Sequence, residues 1–171
     1  ENEDPVTDSE FTPKRKRTIA IVPGAFKPPH QGHADMVQQY ANKADKVIIL
    51  ISKPTKAGRY LDDKTEILQS HAEQIWRDIF LPQISGAEIE IKTDSDYASP
   101  VQAGLDYIGT QGPLDPQTTR VILGASDKPD DNGIPDWHRW KGVQNSKNVK
   151  PGLEIMDIEE NAVGCTDRAC G

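Results

Sequence analysis

Apolar residues fall along this chain in two rhythms. Ile19, Ala20, Ile21 and Val22 form an unbroken apolar run, and Val47–Ile51 forms another. Runs of β-branched residues without alternation read as strands covered on both faces, as in a parallel sheet. Glu88–Lys92 alternates apolar with polar and reads as a third strand, Thr119–Leu123 as a fourth and Leu153–Ile158 as a fifth. Between these runs the rhythm changes. Met36, Val37, Tyr40, Ala41 and Ala44 recur at helical spacing, and so do Ile67, Leu68, His71, Ala72, Ile75, Trp76, Ile79 and Phe80. The first set predicts a helix packed on the sheet, with its tyrosine and methionine serving the core. The second predicts a longer helix on which His71 is half-buried and hydrogen-bonded, with Asp62 or Asp63 capping its start. Pro100–Ile108 reads as a short third helix, and Gly112–Gln117 and Lys128–Ile134 as polar turns. Strands alternating with helices predict a single Rossmann-like α/β domain with a parallel sheet of about five strands flanked by helices.

Glu1–Arg17 has no apolar period. It is acidic first, then basic at Lys14–Arg17, and reads as a flexible charged tail ahead of a domain over 18–171. The net charge of −7 among 171 residues argues against a surface that coats nucleic acid. No apolar run approaches the length of a membrane span, and nothing at the start resembles a signal peptide. Cys165 and Cys170 make no disulfide framework and give little reason to expect zinc, so a reducing, cytoplasmic setting is expected.

Candidate chemistry gathers where the first strand meets the first helix. There the chain reads Pro23-Gly24-Ala25-Phe26-Lys27-Pro28-Pro29-His30-Gln31-Gly32-His33. Gly24 lets the backbone turn sharply and a ligand approach closely. The two prolines keep the loop out of helix. The helix that follows begins near His30 to Gly32, and its first N–H groups lack intrahelical acceptors, which suits a phosphate. Two imidazoles three residues apart lie on one side of its first turn and can donate to phosphate oxygens. After the second strand, Ser52, Lys53, Thr55, Lys56 and Arg59 form a loop suited to an anion, and ligands of open α/β sheets gather at such carboxyl ends.

The stretch Gly24–His33 resembles the GxFxPxHxGH signature of the nucleotidyltransferase superfamily, the cytidylyltransferase-like enzymes. The resemblance implies transfer of a nucleoside monophosphate from a nucleoside triphosphate to a small phosphate-bearing acceptor, with release of pyrophosphate. AMP is favoured over CMP because adenylyl transfer is the commoner activity in that family. His30 and His33 would be catalytic. Gly24, Ala25, Phe26, Lys27 and Gly32 would lie along the nucleotide, and Ser52, Lys53 and Arg59 would bind substrate. Gly124-Ala125-Ser126-Asp127, with Trp137 and Trp140 downstream, resembles the family's GxD segment with a serine inserted, so Gly124, Ser126 and Asp127 join the nucleotide-binding candidates. Gly164-Cys165-Thr166-Asp167-Arg168 is a degenerate relative of the family's SxTxxR segment and adds Thr166 and Arg168. Mg²⁺ is expected with the triphosphate. No residue of this chain is assigned to hold a metal; the loop aspartates, Asp94 and Asp96 and the pair Asp130-Asp131, carry no such assignment.

The reduced second segment, close to the end of the chain, leaves a second reading open: a catalytically decayed nucleotide-binding module, or a fragment of a larger protein. An aminoacyl-tRNA synthetase of the HIGH-signature class would need a longer chain and a KMSKS-like loop. A dinucleotide-binding domain would need GxGxxG after the first strand, and that motif is absent.

Overall fold

The computed structural model describes residues 16–24, 29, 31–51, 69–93, 100–127, 129, 131–143 and 146–163. Strand β1 (Arg17–Gly24) leads to helix α1 (Gln31–Ala41), then β2 (Lys46–Ile51). Helix α2 (Gln69–Ile75) runs on through a π turn at Trp76–Phe80 and a 3-10 turn at Leu81–Gln83. Next come β3 (Glu88–Lys92), α3 (Pro100–Tyr107), β4 (Thr119–Leu123), a 3-10 turn at Asp136–Trp140, and β5 (Glu154–Ile155).

All five strands are parallel, in the order β3-β2-β1-β4-β5. The expected Rossmann-like sheet is therefore present. Its strands read as unbroken apolar runs because both faces are covered. Ala20, Val22, Val47, Ile49, Ile51 and Ile122 pack beneath α1 and α2, against Val37, Tyr40, Ala72, Trp76 and Phe80. Ile19, Ile21, Ile48, Leu50, Val121 and Leu123 face the other way, against Ala103, Ile108 and Trp140. Burying a side chain of this size contributes roughly 1.5–3 kcal/mol relative to leaving it exposed, which makes the two layers the main source of stability.

Two expectations from the apolar pattern fail. Ile79 is 52% exposed while its neighbour Phe80 is 7% exposed. A regular helix would bury both, being three and four residues past Trp76. Pro82 prevents this. It has no N–H to donate to Asp78, and its ring crowds that carbonyl. The last turn widens, Leu81 N–H donates to Trp76 O, and Ile79 swings outward while Trp76 and Phe80 meet edge-to-face at 5.6 Å. His71, expected half-buried, is exposed on the outer side of α2.

The third correction concerns β5. It pairs with β4 only at Glu154 and Ile155, short of the expected Leu153–Ile158. The Asp157 carboxylate accepts the Glu160 N–H at 2.8 Å, and Asn161 N–H bonds back to Asp157 O. That local alternative turns the chain out of the ladder.

Among the described residues no helix is long and apolar enough to cross a membrane. The tail expected ahead of Thr18, the cap at Asp62 or Asp63, and Ile67 and Leu68 all lie outside the described residues, except that Lys16 and Arg17 are described and Arg17 opens β1.

The widened turn has a direct test. Ile79→Lys is expected to change stability by no more than about 0.5 kcal/mol, as surface substitutions do. Phe80→Ala is expected to cost about 3–5 kcal/mol. Urea midpoints of the two variants measure both, and equal losses would restore the regular helix.

Candidate functional site

β1 continues to Gly24 and β4 ends at Leu123, with Ile21 opposite Leu123 in register. From β1 the chain moves to β2 on one side; from β4 it moves to β5 on the other. The crevice between the carboxyl ends of β1 and β4 is thus the point where the winding reverses, and open α/β sheets bind ligands there. α1 connects two parallel strands, so it must run back along the sheet, which leaves its first turn at this carboxyl edge. Gly32 in that turn is buried and His33 beside it is half-buried.

The loop after β4 forms the other wall. Gly124 N–H donates to Ile21 O at 2.7 Å. A Cβ at Gly124 would stand 2.7 Å from that same oxygen and 3.0 Å from Val22 Cγ2, so only glycine allows the loop to close on β1 here. Two aromatic side chains then hold the loop from opposite faces of the sheet. On one face the Tyr40 hydroxyl accepts the Ala125 N–H at 2.8 Å, and its own proton lies between Ala125 O at 2.8 Å and Asn161 O at 3.0 Å. Long helical side chains lean toward the helix N-terminus, which is how a residue in the last turn of α1 reaches the end of β4. On the other face the buried Trp140 indole donates to Gly124 O at 3.1 Å. Gly104 of α3 makes room for it: a Cβ there would stand 2.6 Å from Trp140 Cη2.

Ser126 and Asp127 follow. Ser126 N–H donates to the Asp136 carboxylate at 3.0 Å, and Ser126 O accepts the Trp137 N–H at 3.0 Å. Asp127 is exposed, and its N–H donates to Val163 O at 3.2 Å. Val163 N–H in turn donates to Ala125 O at 3.0 Å, so Ser126 and Val163 form a parallel bridge that extends the sheet past β4. Asp136 also accepts Arg139 Nη2 at 2.9 Å, and the Arg139 guanidinium lies 5.9 Å from the Trp140 ring.

The carboxyl edge therefore brings together Gly24, Gly32, His33, Gly124, Ser126 and Asp127. Ala25, Phe26, Lys27, His30, Ser52, Lys53, Arg59, Thr166 and Arg168 lie outside the described residues. Asp136 and Arg139 are residues that the sequence did not single out. Their i, i+3 spacing beside Trp137 and Trp140 was the available signal. The carboxylate that meets the backbone at the end of β4 belongs to Asp136, while Asp127, the candidate by resemblance, faces outward. Among the described residues no three or more His, Cys, Asp or Glu side chains come together to hold a metal. The described part of the chain offers no protein cage for Mg²⁺.

Tyr40 gives this site its own pH signature. Burial pushes the phenol up to about 12 from 10.0, with the Ala125 backbone hydrogen bond offsetting part of the effect. A phenol whose folded-state pKa is raised stabilises the fold fully below its unfolded value near 10.0 and loses that contribution as pH rises toward about 12. Wild-type stability is expected to fall across that alkaline window, and Tyr40→Phe to lack this part of the decline. At neutral pH the same variant leaves Ala125 N–H without its acceptor and is expected to lose about 1–3 kcal/mol. Urea titrations of both proteins at neutral and alkaline pH make the comparison; parallel pH profiles would refute the assignment.

No curated protein matches the chain. Residues 21–73, from within β1 through α1 and β2 into α2, match the family model described as Cytidylyltransferase-like, which bears out the resemblance of this segment to the nucleotidyltransferase superfamily.

Proposed function

We propose that this protein transfers a nucleoside monophosphate, AMP in preference to CMP, from a nucleoside triphosphate to a small phosphate-bearing acceptor. Nucleotidyl transfer in general is what the family match supports. The observation that carries the reading is one of position. The matched segment sets the first turn of α1, with Gly32 and His33, at the carboxyl edge where the winding reverses, across from the loop Gly124–Asp127.

In the proposed reaction an oxygen of the acceptor phosphate attacks the α-phosphorus. The new P–O bond forms as the bond from the α-phosphorus to the bridging oxygen breaks, and pyrophosphate leaves with the electron pair. No covalent enzyme intermediate is needed. The chain's work is to hold two anions together and to stabilise the charge on the five-coordinate phosphorus. The N–H groups that open α1 and the His33 imidazole are the donors for that charge, with His30 as its partner from the same signature. The backbone around Gly24, Ala25, Phe26, Lys27 and Gly32 takes the nucleotide, together with Gly124, Ser126 and Asp127. Ser52, Lys53 and Arg59, on the loop leaving β2, take the acceptor. Mg²⁺ bound to the triphosphate would supply partial neutralisation of its charge, with no described residue of the chain assigned to hold it.

The C-terminal segment supports the same edge. Val163 is tied to Ala125 and Asp127. Thr166 follows three residues later, and three residues span at most about 10 Å. In this reading Thr166 and Arg168, which follow Val163 in the chain, would contact the nucleotide.

Two measurements test the proposal. Pyrophosphate release is followed with ATP or CTP, Mg²⁺, and nicotinamide mononucleotide, pantetheine phosphate or glycerol phosphate as acceptor. Release is expected with one pairing. A triphosphate that raises the melting temperature without release from any pairing would favour the binding module instead. His33→Ala is expected to lower turnover by about 10²-fold or more with the fold retained, the scale for removing one transition-state donor. Turnover near wild type in that variant would end the assignment.

A further inference from the structure

Four consecutive backbone donors just past the end of β4 are taken within the protein. Gly124 N–H donates to Ile21 O at 2.7 Å and Asp127 N–H to Val163 O at 3.2 Å. Between them, Ala125 N–H donates to the Tyr40 hydroxyl at 2.8 Å and Ser126 N–H to the Asp136 carboxylate at 3.0 Å. The loop therefore offers a nucleotide its shape and its side chains rather than these donors, and both depend on how the loop is held. Of the four acceptors, the Tyr40 hydroxyl is the one that belongs to α1. The side chain is fully buried. A buried phenol needs only one partner to be satisfied. This one meets three backbone groups, with its single proton lying between Ala125 O at 2.8 Å and Asn161 O at 3.0 Å. Val163 N–H shares the Ala125 oxygen at 3.0 Å, so the hydroxyl binds the loop and the Asn161–Val163 segment as one piece.

We infer that Tyr40 is a positioning residue for nucleotide binding, whose hydroxyl sets the loop Gly124–Asp127 against the first turn of α1 and so fixes the gap across the crevice. The inference rests on the nucleotidyl-transfer reading and deepens it. One helix supplies both constraints: Gly32 and His33 sit in its first turn and Tyr40 in its last, a rise of about 10 Å from His33 to Tyr40. A rigid element of that length makes the two walls answer to each other. In Tyr40→Phe the ring still fills its space, but the Ala125 peptide loses its tie to α1. The nucleotide must then order the loop itself, and that cost comes out of its affinity.

Titration calorimetry of the full chain with ATP and with CTP, in the presence of Mg²⁺, tests this on wild type, Tyr40→Phe and Phe80→Leu. Phe80 packs on Trp76, on a different helix, and serves as a core change that lowers stability without touching the loop. Tyr40→Phe is expected to weaken the triphosphate by about tenfold, the scale of one buried hydrogen bond. Phe80→Leu is expected to melt lower and to bind the triphosphate as wild type does. A Tyr40→Phe protein that melts lower yet binds like wild type would make the hydroxyl a structural contact only and overturn the inference. Equal weakening in Phe80→Leu would trace the loss to stability and overturn it too. If Tyr40→Phe does not fold, amide hydrogen exchange of wild type decides. Adding the triphosphate is expected to slow exchange over Ala125–Asp127 and Asn161–Val163 together, and slowing of one segment alone, or of neither, would overturn the inference. Wild type that binds neither triphosphate would remove the nucleotidyl-transfer reading, and this inference with it.

Discussion

One buried hydroxyl joins three distant parts of the chain. Tyr40 lies in the last turn of α1, and its hydroxyl meets the backbone of Ala125 and of Asn161. Its ring closes the space beside Gly124, where a Cβ would already touch Tyr40 Cε2 at 3.3 Å. The loop after β4 can approach β1 because Gly124 has no side chain, and it stays there because Tyr40 and Trp140 hold consecutive residues from the two faces of the sheet. Remove any one of these and a buried polar group of the loop loses its partner. Interiors are too closely packed to absorb such a loss by small shifts. The loop after β4 is held in place on this side by those contacts, and the proposed transfer would draw on such a fixed wall to place its two phosphates.

The same clamp sets the path of the chain beyond β5. The turn at Asp157–Asn161 brings Asn161 O to Tyr40 and then Val163 into register with Ser126. A short β5 is part of this arrangement. Had the strand run on to Ile158, the chain could not have turned back at Asp157 to lie beside the loop. The loss of ladder pairing in β5 is offset by the bridge between Val163 and Ser126.

The sheet was legible in the sequence because its strands are covered on both faces, and such strands leave unbroken apolar runs such as Val47–Ile51 that need no tertiary knowledge to read. The first helix was legible for a similar reason: Val37, Tyr40 and Ala41 keep one period and are all buried. Ile79 was misread because its exposure is decided by Pro82, three residues further on, which a periodicity count ignores. Tyr40 was read correctly as core but incompletely. An apolar face that ends in a hydroxyl must find that hydroxyl a partner, and the partner, Ala125, is 85 residues away. At the site, local order made Gly24–His33 recognisable. Asp136 could not be found that way, because its carboxylate reaches back ten residues to Ser126. Asp127 follows a family-like segment that carries an inserted serine and is exposed, whereas the Asp136 carboxylate accepts from the backbone just past the end of β4.

The charged side chains among the described residues bear on how a ligand could be held. At the amino end Arg17 pairs with Glu88 and Lys46 with Glu88 and Glu90, while Lys92, the last residue of β3, pairs with Glu90 further along the same strand. The hydrogen bond from Lys46 lowers the Glu90 carboxyl, and Glu90 raises the Lys46 ammonium in return; Arg17 lowers Glu88. Each shift stabilises the ionised partner, so the network is internally balanced. Exposed pairs of this kind add little to stability and leave little net field for a ligand. Among the described residues, the loop after β4 is held chiefly through backbone groups, with Asp136 accepting from both Ser126 N–H and Arg139 Nη2. An incoming phosphate would find compensated charge at the amino end. Among the described side chains of the carboxyl edge, Arg139 is paired with Asp136 and Asp127 is exposed, so these three carry no net positive charge. In a chain of net charge −7, a polyanion bound at this edge would therefore have to be held by specific hydrogen-bond donors rather than drawn in by the net charge of the protein.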